Sequence, residues 1–255
     1  MARSLRTQYP GALYHITSRG NRRANIYVDE YDYLMWQELL GKTVDRFSFL
    51  VHAFCQMPNH FHLLLETVEA NLSDGMRYLN GTYGQKFNWR HKHVGHVVQG
   101  RFFSDVVNRD AQLLAVSRYI AQNPVRAELV SDADGWRWGS HRHLSGDLSA
   151  PPWLQTEWLL SQFSTGSLKC AQAKYRAFVD AVPLAENPLQ PDSERSFAPR
   201  EALSLQQYQQ RYSDPNEAMA MAYLSASYTR QEIAEYFGVS IKTVGRAIAR
   251  FKLRR

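Results

Sequence analysis

The sequence predicts an α+β fold: a ferredoxin-like antiparallel sheet with helices on one face, followed by an all-α helix-turn-helix domain. Strand-like and helix-like segments follow one another as β-α-β-β-α-β, with a further helix, in the first half of the 255-residue chain. This order is typical of such a sheet. A stretch rich in proline and polar residues comes later, and beyond it two short helical patterns meet at Gly238.

Four strands are predicted from short runs of β-branched, aromatic and aliphatic residues. The first covers residues 12–17 and the second covers 47–56. A turn at Met57-Pro58-Asn59 leads into the third strand, residues 60–67. Residues 97–103 are predicted as the fourth strand.

Three helices are predicted between and after these strands. Residues 29–46 place apolar side chains at helical spacing behind an acidic first turn, and residues 72–89 form the second helix. The third covers 110–123 and is expected to stop at Pro124, because proline lacks the N–H that a helix needs. Residues 130–180, with four tryptophans, are expected to pack on this domain as a loop and helices.

The chain is expected to divide into a domain with a helical extension (1–182), a linker with four prolines (183–200) and a helix-turn-helix domain (201–255). Its 44% hydrophobic content is enough for a real core. No apolar run approaches the roughly 20 residues of a membrane span, and two cysteines are too few for a disulfide framework. These features predict a cytoplasmic protein with no membrane partner.

The net charge of +6 is concentrated near both ends of the chain. Residues 1–28 carry five arginines and no acidic side chain, while residues 228–255 carry seven basic side chains against two acidic ones. Basic charge at two separate places suits a polyanion that is held at two sites, although a pair of solvated termini would have the same composition.

Two histidines on the third strand carry the clearest chemical signal. His60 and His62 are two residues apart, so both imidazoles project from the same face of the strand while Phe61 points to the other. Such a pair supplies two ligands of a divalent-metal site that still lacks a third. A metal ion with open positions can polarise a phosphate.

The third helix offers the remaining groups. Tyr119 and Asn123 are four residues apart and therefore lie on one helix face. If that face covers the sheet beside the histidines, the Asn123 carbonyl oxygen is a third ligand and the Tyr119 hydroxyl can attack the polarised phosphate. Because a phenolate is a good leaving group, a phosphotyrosine bond would conserve the energy of the broken phosphodiester.

Other residues offer alternatives to this assignment. The pairs His91/His93 and His141/His143 lie in polar segments and are interpreted as surface or DNA-facing groups. His15 and His52 are interpreted as core groups or as supports of the ligands. Glu66, on the same face as the histidines by parity, could be a further ligand, but a solvent contact at the end of the sheet is preferred. Two tyrosines of the second helix are rival nucleophiles, Tyr78 and Tyr83.

Residues 231–248 have the pattern of a DNA-binding helix-turn-helix. Gly238 suits the turn, and the alternative is an ordinary helical hairpin that binds nothing. The second helix would present four polar or basic side chains to a major groove: Ser240, Lys242, Thr243 and Arg246.

Four separated segments resemble the single-tyrosine HUH transposases, and most of all the REP-associated tyrosine transposases. The resemblance covers residues 8 to about 130 and is carried by GALYHITSRGNRR, MPNHFHLLLE, QGRFFSD and RYIAQNPVRA. It implies that His60, His62 and Asn123 bind Mg²⁺ or Mn²⁺, with Asn123 in place of a glutamine of related insertion-sequence enzymes. It also implies that Tyr119 forms a 5′-phosphotyrosine and releases a 3′-hydroxyl.

The resemblance further implies that the partner is DNA with hairpin-forming repeats, cut in the single strand that flanks the hairpin. It leaves open whether the enzyme is a monomer or a homodimer that swaps its tyrosine helix, and duplex DNA is a second possible partner through the C-terminal domain. The residues expected to contact DNA in the first domain are basic or polar: Arg19, Asn21, Arg22, Arg23, Arg77, Lys86 and Arg101.

Three functions are therefore distinguished. The first is a metal-dependent transposase that nicks and joins single-stranded DNA, and it is preferred. The second is a DNA-binding regulator on the same scaffold that does not cut, against which the retained tyrosine and histidines argue. The third is a metal-dependent RNA-processing or RNA-binding module, which would form no tyrosine adduct.

Overall fold

The computed structural model describes residues 7–107, 112–181, 188–189, 204–212, 214–224, 228 and 230–253. The chain forms two compact units, of which one comprises residues 10–190 and the other comprises 1–9 and 191–255. Of the predicted linker, only residues 188 and 189 are among the described residues, so its extent stays a prediction.

The larger unit contains a four-stranded antiparallel sheet with the strand order β2-β3-β1-β4. The α+β prediction and the predicted order of elements are confirmed, and β3 begins and ends at the predicted residues. The elements of the first half are β1 (Ala12–Arg19), α1 (Glu30–Phe47), β2 (Phe49–Met57), β3 (His60–Thr67), α2 (Leu72–His91), β4 (Phe103–Val106) and α3 (Leu113–Arg126).

The two faces of the sheet are covered by different helices. On one face Phe61 of β3 packs against Trp36 of α1, with ring centroids 4.7 Å apart, and α2 packs beside α1. On the other face Leu64 of β3 shares a buried cluster with Val116 and Ile120 of α3. Because side chains alternate along a strand, α3 lies on the face to which His60 and His62 belong.

The predicted fourth strand was misplaced. Residues 97–99 bind the end of β1 by two hydrogen bonds, from Asn21 N to Val97 O (2.9 Å) and from Gln99 N to Arg19 O (2.8 Å). Gly100 then adopts a left-handed conformation, with φ of 54°. This turn interrupts the extended chain, and β4 pairs with β1 only from Phe103 onward.

The predicted end of the third helix was also wrong, because Pro124 lies inside α3. Proline lacks an N–H group, so the helix loses the one hydrogen bond that this group would donate. The proline ring is accommodated here because Pro124 lies near the C-terminus of α3. The next bonds form, from Ala127 N to Asn123 O and from Leu129 N to Pro124 O. The predicted start at Asp110 lies outside the described residues.

The helical extension packs on the sheet and on α3, as predicted. Gln56 N donates to Trp138 O, and Gln122 of α3 donates to the carbonyl oxygen of Val179 at 2.7 Å. The extension contains a 3₁₀ turn (Ala133–Gly135) and three helices, α4 (His141–Leu144), α5 (Glu157–Ser161) and α6 (Leu168–Asp180).

The smaller unit is all helical in its described part, with a buried cluster that includes Ile233, Val244 and Ile248. Gly238 makes the turn between the last two helices with φ of 64°, so the predicted helix-turn-helix is confirmed. The helices are α7 (Leu205–Arg211), α8 (Pro215–Leu224), α9 (Arg230–Phe237) and α10 (Ile241–Leu253). Within the described ranges of both units, no helix has the length and apolar character to cross a membrane.

Candidate active site

The two histidines of β3 lie at the end of the sheet where β1 ends. In the antiparallel ladder His62 is opposite Thr17 of β1, and His60 is opposite Arg19. Directly opposite residues project to the same side of a sheet. His60, His62, Thr17 and Arg19 therefore share the face that α3 covers in part.

Two groups of β1 hold the ring of His62. Its Nδ1 atom lies 3.0 Å from His15 Nε2 and 3.2 Å from Thr17 Oγ1, and the His15 and His62 rings stack with centroids 5.2 Å apart. When Nδ1 carries the proton of this network, Nε2 carries the lone pair.

The other nitrogen of His62 is buried and has no hydrogen-bond partner among the described residues. A buried polar atom without a partner is costly and calls for an explanation. An imidazole whose Nδ1 is engaged by a neighbour and whose Nε2 is unengaged has the usual arrangement of a metal ligand. His62 therefore fits a divalent cation.

His60 has a similar support. Its Nδ1 lies 2.7 Å from Asn59 Oδ1, and Asn59 Nδ2 in turn donates to the carbonyl oxygen of Arg23. The rings of His60 and His62 lie edge to face with centroids 4.9 Å apart. Within the described chain, no group of three His, Cys, Asp or Glu side chains could hold a metal. An amide oxygen is another type of ligand that such a cation accepts.

Burial keeps these imidazoles uncharged. It lowers the pKa of His15 to about 4 and, together with the positive charge of Arg19, the pKa of His60 to about 4. It also holds the pKa of His62 well below the usual value, with His15 and His60 adding to the effect. Neutral imidazole is the form that binds metals, so the pair is ready to do so at neutral pH.

These pKa values make an acid-sensitive fold. Between pH 6.5 and 5 the unfolded chain protonates its histidines while the buried ones stay neutral, so the free energy of unfolding falls as pH falls. Each such histidine contributes about 1.4 kcal/mol per pH unit. We expect urea denaturation at several pH values to show this dependence of the free energy of unfolding on pH. His15→Leu should lower its slope by about 1.4 kcal/mol per pH unit, which corresponds to one proton. An unchanged slope in the variant would contradict the assignment.

Tyr119 lies over the same histidines. Its ring is edge-on to His62 and His15, with centroids 5.7 and 5.8 Å away. Burial raises the pKa of Tyr119, and the positive charge of Arg126 opposes this shift. The Arg126 guanidinium lies 5.5 Å from the centre of the Tyr119 ring, so its positive charge favours the ionised form of the phenol.

Asn123 is one turn further along α3 and is buried. Its Nδ2 atom donates to the carbonyl oxygen of Tyr119 at 2.7 Å. This bond directs Oδ1, the atom that could bind a cation, away from the backbone of its own helix. The structure thus brings His60, His62 and Tyr119 together and places Asn123 beside the tyrosine.

The residues predicted to contact DNA are divided by the fold. Arg19 and the exposed 3₁₀ turn Asn21–Arg23 lie at the histidine end of the sheet, with Arg101 exposed shortly before β4. Arg77 pairs with Asp74 and lies beside Phe47, near the opposite end of the sheet. Lys86 is exposed on α2, the helix that covers the other face.

The rival tyrosines are placed away from the histidines. The Tyr83 hydroxyl donates to the carbonyl oxygen of Ile26 on the opposite face of the sheet. Tyr78 contacts Phe47 and Arg46.

The interpretation of the other histidine pairs as surface groups is wrong for one member of each. His91 is bound to Asp32, a fully buried carboxylate, and His141 is buried and bound to Asp134. These two rings are partners of carboxylates within the fold. Glu66, interpreted as solvent-facing, lies 3.3 Å from His52.

Three supporting residues were missed from the sequence: Thr17, Asn59 and Arg126. Thr17 has the parity of His15 on β1, and Arg126 is seven residues after Tyr119, hence on the same helix face. Those spacings could have identified both. Asn59 lies in the turn just before His60. A turn has no periodic pattern from which the role of this side chain could have been predicted.

In the smaller unit, Ser240 Oγ accepts a hydrogen bond from Thr243 N at 3.2 Å, and the two hydroxyls are 2.9 Å apart. Ser240 and Thr243 thus stabilise the start of α10. Arg246 is exposed. The side chain of Lys242 lies outside the described residues.

Comparison with known proteins gives two matching families. Residues 8–123 match the family described as transposase IS200 like, and residues 228–254 match the bacterial regulatory proteins of the crp family. A protein of Haemophilus influenzae described as a REP-associated tyrosine transposase is 24% identical over 155 residues, which are 56% of this chain and 88% of that protein. The resemblance that the motifs indicate is thus confirmed.

Two solved structures are also similar. One is a REP-associated tyrosine transposase bound to a REP hairpin, with 21% identity, a TM-score of 0.49 and coverage of 61% of this chain and 92% of the other. The second is a transposase of Deinococcus radiodurans, with 18% identity, a TM-score of 0.34 and coverage of 50% and 92%.

Proposed function

Because residues 8–123 match the IS200-like transposase family, we propose that the chain cuts and rejoins single-stranded DNA through a covalent bond to Tyr119. The observation that carries the proposal is the unpartnered Nε2 atom of buried His62, next to the ring of Tyr119. A metal-ligand histidine and a phenol side by side meet the two needs of phosphoryl transfer to a tyrosine.

In the proposed reaction the Tyr119 oxygen attacks the phosphorus of a phosphodiester. The new bond joins this oxygen to phosphorus, and the bond from phosphorus to the 3′-oxygen breaks. The phenol loses its proton, and the 3′-oxygen leaves as a hydroxyl after taking one up. Attack by a DNA 3′-hydroxyl on the phosphotyrosine reverses these changes and joins two strands without a nucleotide cofactor.

His60, His62 and Asn123 are proposed to hold Mg²⁺ or Mn²⁺. The cation would withdraw electron density from a non-bridging phosphate oxygen. Within the protein, His15 and Thr17 fix the ring of His62, and Asn59 fixes that of His60. Arg126 favours the ionised tyrosine before the attack.

The DNA partner is proposed to be a hairpin with its flanking single strand. Arg19, the 3₁₀ turn Asn21–Arg23 and Arg101 supply positive charge at the histidine end of the sheet, where a phosphate must enter. Cationic side chains of this kind bind the backbone without reading its sequence. We propose that the activity on such a substrate is cytoplasmic.

A covalent-trapping assay tests the proposal. The chain is mixed with 5′- and 3′-labelled oligonucleotides that carry hairpin repeats from its own genome, with Mn²⁺ or with EDTA. We expect a protein band that survives denaturing electrophoresis, depends on the cation and carries the 3′ label, because the strand on the 3′ side of the break stays joined to Tyr119 through its 5′-phosphate. Cleavage without any such band would exclude the tyrosine mechanism and favour hydrolysis, as would RNA cleavage in place of DNA.

The helix-turn-helix is proposed to bind duplex DNA, and the match to the crp family of regulators favours this second role. Arg246 is exposed on α10, so Arg246→Ala should weaken duplex binding about tenfold while leaving the covalent adduct unchanged. Fluorescence anisotropy with genomic duplexes measures the first quantity. The exposed Arg211 of α7 provides the control Arg211→Ala. Equal losses of duplex affinity in both variants would mean that positive charge anywhere on this unit supports binding, and that α10 has no special role.

A chain that binds DNA tightly and forms no adduct would instead be a regulator on a transposase scaffold. The trapping assay and the duplex titration together separate the two functions. Cutting requires the adduct, whereas regulation requires only the binding.

A further inference from the structure

Phe103 is the first residue of β4 and lies on the same face of the sheet as the candidate active site. It is directly opposite Thr17 of β1, and Thr17 is directly opposite His62 of β3. The three side chains form one row across the sheet. With a strand spacing of about 4.8 Å, Phe103 is about 10 Å from His62 across the row.

This phenylalanine is 71% exposed. Further along the same face, Leu13 and Val107 are buried in the cluster with α3, so the helix covers that part of the sheet and stops short of Phe103. The described residues make no ring contact with Phe103. A large apolar ring is therefore left in solvent beside the one place on this face where the chemistry is proposed to occur.

The charges around Phe103 define a path for a polyanion. Arg101, two residues earlier, is exposed, and Arg19 lies opposite His60 in the neighbouring row. Asp105, the next residue of β4 on this face, is exposed and opposite His15. The favourable path runs past Arg101 and Phe103 toward His60.

We propose that Phe103 is a stacking platform for one base of the single-stranded DNA, next to the phosphate that Tyr119 attacks. Aromatic rings beside cationic side chains bind single strands in this way, because every base has a face that can stack. The position of the attacked phosphate rests on the proposed function. The stacking itself requires no cleavage and can be measured alone.

The test compares two 16-nucleotide probes by fluorescence anisotropy in EDTA: dT16 and a strand of the same length whose sugars all lack bases. Phosphate contacts are equal in the two, so the ratio of their dissociation constants reports stacking. We expect the native chain to prefer dT16 and Phe103→Leu to lose about 5- to 100-fold of that preference. Phe103→Trp should keep it.

Tyr31→Leu is the matched control, since Tyr31 is 59% exposed but belongs to α1 on the other face. It should leave the preference unchanged, and circular dichroism melts should show all three variants folded. A native chain that binds both probes equally, or binds neither, overturns the proposal, as does an equal loss in Phe103→Leu and Tyr31→Leu. An adduct in the trapping assay with no preference for dT16 would refute the platform alone. A preference for dT16 without any adduct would refute only the cutting.

Discussion

Replacing Tyr119 by phenylalanine should abolish the covalent adduct and reduce strand cleavage by about 10⁴-fold or more, the scale on which loss of a nucleophile acts. The substitution removes one oxygen and leaves the ring that packs edge-on against His15 and His62. Folding and DNA binding should therefore be preserved. Denaturing electrophoresis of trapped complexes measures the adduct, and anisotropy measures the binding.

Tyr78→Phe and Tyr83→Phe are the controls for this variant. Both tyrosines belong to α2, on the other face of the sheet, and the Tyr83 hydroxyl is engaged by Ile26 O. Each variant should form the adduct at the native rate. An adduct that persists in Tyr119→Phe and disappears in either control would move the nucleophile to α2 and disprove the proposed site.

Replacing His62 should remove most of the cation affinity. If Nε2 of His62 is a ligand, His62→Ala removes that ligand completely. Changes to groups that merely support a ligand lower the metal affinity by about 10- to 100-fold. We therefore expect the dissociation constant for Mn²⁺ to rise more than about 100-fold and the adduct to fall at least as much. Isothermal titration calorimetry measures the affinity without requiring any reaction.

His93→Ala is the matched control because His93 belongs to a second His-x-His pair and is exposed. It should leave Mn²⁺ affinity and adduct formation at native levels. Since His62 is buried, His62→Gln serves as a second variant with less loss of volume. Native Mn²⁺ affinity in both folded His62 variants would show that the cation is held elsewhere.

Local periodicity was enough to predict part of the site. His60 and His62 are separated by one residue, and the alternation of a strand puts them on one face whatever the sheet does around them. Tyr119 and Asn123 are likewise fixed relative to each other by one turn of helix. These are relations within a single element, and they hold in the structure.

Relations between elements could not be read in this way. The role of His15 depends on the β1–β3 register, which pairs Thr17 with His62 and is set by contacts 45 residues apart in the chain. Arg77, which is predicted to contact DNA, lies beside Phe47 because of the direction of α2 across the sheet, and its distance from the histidines could not be predicted from the sequence. The fourth strand was misplaced because its prediction relied on the apolar run before Gly100. The left-handed turn at Gly100 depends instead on how the chain reaches β1, which the local sequence does not show.

The packing of α3 ties the proposed nucleophile to the core of its own chain. Gln122 donates to Val179 of α6, Arg118 lies over the ring of Phe178, and Val116 and Ile120 lie in a cluster shared with β1, β2 and β3. Exchange of this helix between two copies would have to break all of these contacts and form them again between the copies. We therefore expect the proposed nucleophile to act with the histidines of its own chain. Two inactive chains, one without Tyr119 and one without His62, should then fail to complement each other, and restored activity in their mixture would show that the helix is exchanged.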